Sequence, residues 1–568
     1  MAAMGQLDGA PIEFELVDDV PQAGVLCALP ALLVFGLLRH TRETFSLPSG
    51  YYPIETIFLA QGFLALAGVP SMEAIRYEPP GEWGKLLGLD RIPEVKTLRE
   101  KISLLCQPDG RAQRWSSTLS REWMERTNSQ TVGTIYVDGH VRVYHGELTQ
   151  LPRRYVSRER LCLRGTTDYW VNAMDGQPFF VVTQAVDPGM LNVLRQNIIP
   201  RLKEDIPGQP SQAELEADPY LSRFTVVCDR AVYSPEFFAQ AKAQRIAVIT
   251  YHKFPGPDWD VSEFAQREVK LANGEAVKLE LAERGTLLSN SLWVREIRHR
   301  DESGHQTPVI STDYKRPMDQ AAVALFVRWC QENFFKYMEE HYHIDRLVEY
   351  GVEPLPDTIR LVNPAWRQLD GQVRKQAALL AREQAQFGGL NLPIQDGIEQ
   401  TQNAVDQKSK LLLSIQTRQK EIGELKDKRR QTPKHVTIKD LPESQRFNQL
   451  RTDKKHLVDT IKLIAYRAET ALVHIVRETL HRWDDARALV RGIFNSAADL
   501  RPDQTNKTLT VRLHRLASNT HDQTLQHLCE ELTATETVYP GTDLRLVYEL
   551  VGEPPPKMDS TLSQPPSG

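Results

Sequence analysis

Among 74 acidic residues, three carboxylates stand out by their setting. Asp138 and Asp229 each follow directly on an apolar run, Thr134-Ile-Tyr-Val137 and Phe224-Thr-Val-Val-Cys228. Side chains at strand ends of this kind face open clefts in sheet-based enzymes. Glu332 sits in an amphipathic helical segment, with Arg328 one turn before it and Lys336 one turn after. Two strand carboxylates and one helix carboxylate converging on a point would offer the oxygen donors that Mg²⁺ takes, with Mn²⁺ as a substitute. A pair of such ions can activate a water or a 3′-hydroxyl and stabilise the leaving oxygen of a phosphodiester. Each residue also has a plainer reading. Asp138 could open a turn with Gly139, Asp229 could cap the helix after it, and Glu332 could pair with its neighbours.

The elements that must position these groups follow from periodicity. From Thr131 the chain alternates and is rich in β-branched residues, and two further strands are joined at Met174-Asp175-Gly176-Gln177, an Asp-Gly turn. A helix and a polar linker near residues 207–219 lead to a strand, helix and strand ending near Tyr251. Residues of about 252–313 read as a β-rich insertion of two hairpins, one around Asn273-Gly274. Val323, Phe326, Val327, Phe334 and Met338 then return to helical spacing. The fold class expected is multi-domain α+β: a helical domain over 1–130, an α/β catalytic domain over 131–350, long helices over 360–500, a small α+β cap over 501–552 and a disordered tail over 553–568. Leu450, Leu457, Ile461, Ile464, Ala468, Ala471 and Ile475 are spaced for a helical seam. That pattern suits an antiparallel hairpin, a homodimer seam, or two helices packed within one chain.

Basic residues cluster locally. Residues 81–106 read as helix, turn, helix, with Gly88 and Pro93 at the break and Lys96, Arg99 and Lys101 outside the apolar stripe of the second helix. That face could enter a DNA groove or simply be solvated. Between Val141 and Arg164 stand Arg142, Arg153, Arg154, Arg158, Arg160 and Arg164 against Glu147 and Glu159, a set that could neutralise phosphates or line a solvated loop.

The blocks YVDGHVRVYHG, VVCDRAVYS and RWCQENFFKYM resemble the three acidic blocks of DDE transposases of bacterial insertion sequences. The resemblance spans about residues 80–350 and agrees in the order of the elements. It implies an RNase H-like catalytic domain with a β-rich insertion, two Mg²⁺ ions held by Asp138, Asp229 and Glu332, and double-stranded DNA, both element ends and target, as partner. One group of these enzymes carries a Tyr, Arg, Glu, Lys signature. Here Arg328 and Glu332 keep its spacing, Leu325 replaces the Tyr, Glu339 occupies the Lys position, and Lys336 could substitute from one turn earlier. The function implied is metal-dependent cleavage at element ends and strand transfer. A catalytically idle DNA-binding or assembly protein of that descent, and an RNase H-like nuclease without strand transfer, are the alternatives.

Composition bounds these readings. The chain has 568 residues, 41% hydrophobic and 25% charged, with 69 Lys+Arg against the 74 acids. That is a folded multi-domain composition, too long for a single small binding module. The net charge of −5 makes any nucleic-acid surface a local one. The six cysteines form no CxxC or CxxH pair, which argues against a structural zinc and fits a reduced, intracellular setting; the resemblance to DDE transposases implies a cytoplasmic, nucleoid-associated one. The apolar stretch Ala23–Leu38 is too short to span a bilayer comfortably and carries Pro30, so a buried core helix is expected there.

Overall fold

The structure, a computed structural model, describes residues 7–552 except 157–158, 185–187, 271–275, 327–328, 350, 357–358, 390–397, 481 and 517. It is mixed α/β and forms two compact units. The first comprises residues 1–145, 152–350 and 451–568, and the second residues 146–151 and 351–450.

The first unit begins with helices. The stretch 23–38 is largely buried, with Val34 exposed, but is not one helix: a 3₁₀ stretch, Ala23–Ala28, precedes a short α-helix, Leu29–Val34. Pro30 lies in the first turn of that helix, where its missing N–H is tolerated. Helix α1 (Ile54–Leu66) is apolar on all sides and accordingly buried. Helix α2 (Val95–Leu105) buries Leu98, Ile102 and Leu105, and α3 (Arg111–Arg126) buries Trp115, Leu119 and Trp123.

A ten-stranded sheet follows. Strands β1 (Thr134–Val143), β2 (Leu161–Ala173) and β3 (Pro178–Thr183) form an antiparallel meander. The short strand Arg153–Val156 pairs with the start of β2. Strands β4 (Phe224–Cys228) and β5 (Ile246–Tyr251) run parallel to β1, in the spatial order β3, β2, β1, β4, β5. The expected insertion contributes β6 (Ala265–Lys270), β7 (Ala276–Leu287), β8 (Trp293–Arg300) and β9 (Gln306–Ser311). These strands extend the sheet rather than form a separate body, because β9 pairs antiparallel with the edge of β5. Capping that edge removes an exposed ladder of backbone groups. Helix α4 (Pro235–Ala243) bridges β4 and β5, and α5 (Met318–Phe326) and α6 (Trp329–Tyr342) follow β9. The linker near 207–219 holds a short helix, Gln212–Ala217, closed by a Ser211/Glu214 capping box.

The second unit is led by two long helices, α7 (Pro364–Gly389) and α8 (Ile398–Gln431), packed together as a hairpin. Two ion pairs cross it, Arg418 with Glu383 at 2.7 Å and Arg429 with Asp370 at 2.6 Å.

The chain then returns to the first unit, so the expected 360–500 region is split. Helix α9 (Asp453–Arg477) holds much of the seam pattern, but it is a core helix and not one arm of an exposed hairpin. It is buried almost all round because α1, α3 and β3 pack against it. The expected cap is likewise not separate. Strands Ala498–Asp503, Thr508–Leu513 and Arg545–Leu550 form a sheet whose edge is the N-terminal strand Val17–Val20. The strand Val17–Val20 thus closes on the strand Ala498–Asp503 far along the chain, which sequence-local boundaries do not anticipate.

Candidate functional site

The site is built on the β1/β4 pair. Their parallel register runs from Thr134 opposite Thr225 to Val137 opposite Cys228. One residue further, Asp138 on β1 and Asp229 just past β4 stand side by side on neighbouring strands, which lie about 4.8 Å apart in any sheet. Alternation sets their direction. Ile135, Val137, Val226 and Cys228 belong to the main core, whereas Tyr136 and Val227 belong to a second cluster under α5. Asp138 and Asp229 fall on the Tyr136 and Val227 side, and both are partly exposed.

The turn reading of Asp138 does not hold. The strand continues through Gly139 to Val143, with Gly139 opposite Tyr169. A Cβ at Gly139 would come within 3.1 Å of Thr167 and Tyr169, so a larger residue there would need those side chains to give by a few tenths of an ångström. The Asp138 carboxylate accepts from the Gly139 N–H at 2.8 Å. The cap reading of Asp229 is partly realised. Its side chain accepts from the Arg230 N–H at 2.6 Å and caps a three-residue 3₁₀ turn, while Ser234 caps α4. Thr250 donates its hydroxyl to the Asp229 carbonyl at 2.9 Å and fixes the strand end.

Position 332 lies in the first turn of α6, its side chain outside the described residues, as is Arg328 altogether. The same helix packs over β1 through its next turns. Phe335 stacks on His140 with centroids 5.5 Å apart. Phe334 and Phe335 meet the edge of Trp170, the residue opposite Asp138, at 5.6 and 6.2 Å. Glu339 reaches the His140 Nδ1 at 3.3 Å. Glu339, at the signature's Lys position, is therefore turned to the sheet, whereas Lys336 is exposed. His140 and Glu339 carry no motif of their own. The available signal is period two from Asp138 to His140 and two helical turns from 332 to 339.

Arg142 leaves the expected surface cluster. Its side chain is 3% exposed and donates twice to Asp168, at 3.1 Å each. Period two again explains this: Arg142 continues the Asp138, His140 face into the protein. Burial alone would raise the Asp168 carboxyl, but the charges of Arg142 and Lys455 and the bonds from Arg142 outweigh it and hold it below its usual value. Of the remaining expected DNA contacts, Arg153 and Arg160 are exposed, Arg154 is half-buried, and Arg158 lies outside the described residues. Lys96 is exposed on α2, Arg99 pairs with Glu73, and Lys101 is half-buried, which lowers its amine.

Two other features lie elsewhere. A cavity of about 510 Å³ is lined by Tyr233, His252, Phe254, Leu287, Leu288 and Glu296. Glu296 alternates with Ile297 of the α5-side cluster, so this cavity belongs to the opposite face of the sheet from the two aspartates. Asp19, Asp499 and His514 are the three described residues grouped closely enough to share a cation. Asp499 there is already engaged by His514, Arg501 and Arg512, an ion-pair network that consumes its charge.

The geometry is thus a mixed sheet with Asp138 inside β1, Asp229 just past the neighbouring β4, and a helix packed over β1. A family profile described as "Transposase protein" matches residues 1–552. The chain belongs to that family: it is a transposase, and transposases act on DNA. No curated protein matches the chain. Among the described residues no helix is long and apolar enough to cross a membrane.

Proposed function

We propose that the chain is a DDE transposase of a bacterial insertion sequence, cleaving DNA at element ends and joining the 3′-hydroxyl to target DNA. The observation that carries this reading is the β1/β4 register, which sets Asp138 beside Asp229 on one face of the sheet. Its support is the strand order: an antiparallel meander of three followed by two strands parallel to the first is the arrangement an RNase H-like domain requires. The packing of α6 on His140 and Trp170 supports Glu332 as the third carboxylate, since position 332 is one turn before Phe335.

The donor set fits Mg²⁺, or Mn²⁺ in its place. Asp138 and Asp229 offer hard oxygens, and both are partly open to solvent. When bound, a pair of such ions would stabilise the attacking and leaving oxygens of the phosphodiester. The protein's own part is to hold the carboxylates. The Gly139 and Arg230 N–H groups each donate to one aspartate and fix its rotamer. The His140/Glu339 pair and the His140/Phe335 stack hold α6 in register with β1. Exposed cations on α2 and beside β2, Lys96 and Arg153 among them, are suited to phosphate contacts along the duplex.

The test is cleavage of duplex DNA carrying the element's own flanking ends. Specific nicking at those ends with Mg²⁺ and none with EDTA is the expected result. Equal cleavage with EDTA would remove the metal mechanism. End binding without cleavage under any divalent ion would leave an assembly protein.

A further inference from the structure

Charge is divided unevenly between the two units. Residues 146–151 and 351–450 carry 16 Lys+Arg against 13 Asp+Glu, although the whole chain carries 69 against 74. The second unit is therefore net basic and the remainder distinctly acidic. Within that unit the positive charge is concentrated where α8 ends beside the start of α7. Lys426, Lys428, Arg430 and Lys434 are all exposed there, as are Arg367, Arg374 and Lys375.

The end of the hairpin is held in a fixed shape. Arg429 binds Asp370 at 2.6 Å and lies over the Trp366 ring at 5.8 Å, and Lys434 lies over the same ring at 5.3 Å. The Asn363 amide donates to the Pro433 carbonyl at 3.0 Å. Across residues 364–375 and 421–434 eight cations stand against four acids, Asp370, Glu421, Glu424 and Asp427. Asp370 is taken up by Arg374 and Arg429, and Asp427 meets Arg430 only at 3.7 Å with both side chains mostly exposed. Cations at a helix C-terminus offset its dipole, which accounts for one or two of them. Four on the last turns of α8 and just beyond, with Arg367 and Lys375 on the facing helix, exceed that need.

We infer that this basic end of the α7/α8 hairpin is a binding surface for the phosphate backbone of duplex DNA. Phosphate contacts of this kind position a protein without reading sequence. Long Lys and Arg side chains on a braced helical end make point contacts with a regular array of phosphates, and no groove-reading element is needed. The inference rests on the transposase reading only in that DNA is the polyanion at hand.

The experiment compares the full-length chain with a variant carrying Lys426→Gln, Lys428→Gln, Arg430→Gln and Lys434→Gln, all at exposed positions. Binding to end-containing and scrambled duplexes of equal length is followed by fluorescence anisotropy at several salt concentrations. Each lost phosphate contact lowers the slope of log affinity against log salt by about 0.9. The variant should lose between about one and four such contacts, weakening both duplexes by the same factor while its Mg²⁺-dependent nicking at saturating protein is unchanged. An unchanged slope on both duplexes would overturn the inference, as would a loss confined to end sequence or a wild-type chain that prefers single-stranded RNA of equal charge. The two readings fail separately: an Asp138→Asn chain that still nicks DNA removes the catalytic proposal, and this binding result stands or falls on its own.

Discussion

Asp138 and Asp229 lie next to one another on parallel strands, one residue beyond the last paired positions, Val137 and Cys228. Ninety residues of chain separate them, yet the sheet makes them neighbours because β4 runs beside β1 with no strand between. The strand between Thr134 and Val143 does not turn at Asp138. Its aspartate therefore projects from a rigid ladder instead of a loop, which would hold a bound cation, as proposed, in a fixed geometry.

Arg142 should behave as a structural residue. Removing it leaves Asp168 buried without its counter-charge, and breaking a buried pair of this kind costs about 3–5 kcal/mol. Arg142→Ala should lower the urea midpoint accordingly and leave the DNA affinity of the folded fraction unchanged. A variant of wild-type stability with weakened DNA binding would return Arg142 to the DNA surface.

The surface cations should separate into two groups. Neutralising Lys96 with Arg99 on α2 should weaken binding and blur discrimination between element ends and random DNA, because base-edge contacts specify sequence. Neutralising Arg153 with Arg154 should weaken both substrates alike, each lost contact lowering the salt slope by about 0.9. Unchanged curves for both pairs, measured on end and scrambled duplexes, would place the DNA on other surfaces.

Much of this arrangement is legible in the sequence, and the exceptions have physical causes. The strands before Asp138 and Asp229, the Asp175-Gly176 turn and the helix at Val95–Leu105 follow from period and turn chemistry alone. Alternation does not say which strand neighbours which, so the joining of β9 to β5 and of Val17–Val20 to Ala498–Asp503 is invisible until the pairing is seen. The same limit hides α9: a helix apolar at seam spacing reads alike whether a second copy, a hairpin partner or the protein's own core covers it. Arg142 looks like a surface cation in a list of arginines because its partner, Asp168, is 26 residues away on the paired strand.

Lys462 carries a pH signature in the opposite sense to an ordinary ion pair. Burial, reinforced by the charge of Lys455, brings its amine down from 10.5 to about 8 in the folded chain. Between about pH 8 and 10.5 the unfolded chain holds a proton that the folded chain has lost, so stability should rise with pH across that window. Below about 8 the buried amine must be charged and the contribution is least favourable. Lys462→Met should abolish this rise and raise stability at pH 7 by at most about 3 kcal/mol. A wild-type unfolding free energy that is flat or falls from pH 8 to 10, attributable to this residue by comparison with the variant, would contradict the assignment.

The most direct measurement is Mg²⁺-dependent nicking of an end-containing duplex by the wild-type chain and by Asp138→Asn, Asp229→Asn and Glu332→Gln at equal DNA occupancy. An amide keeps the shape of each side chain and removes the charge that would hold a cation. Each variant should bind the ends with near wild-type affinity and nick them at least about a hundredfold more slowly, a loss of about 2.7 kcal/mol or more in transition-state stabilisation. Mn²⁺ should support the wild-type reaction as well. Nicking at the wild-type rate by either Asp138→Asn or Asp229→Asn would contradict the account, since the pair that the β1/β4 register sets together would then not act as a unit.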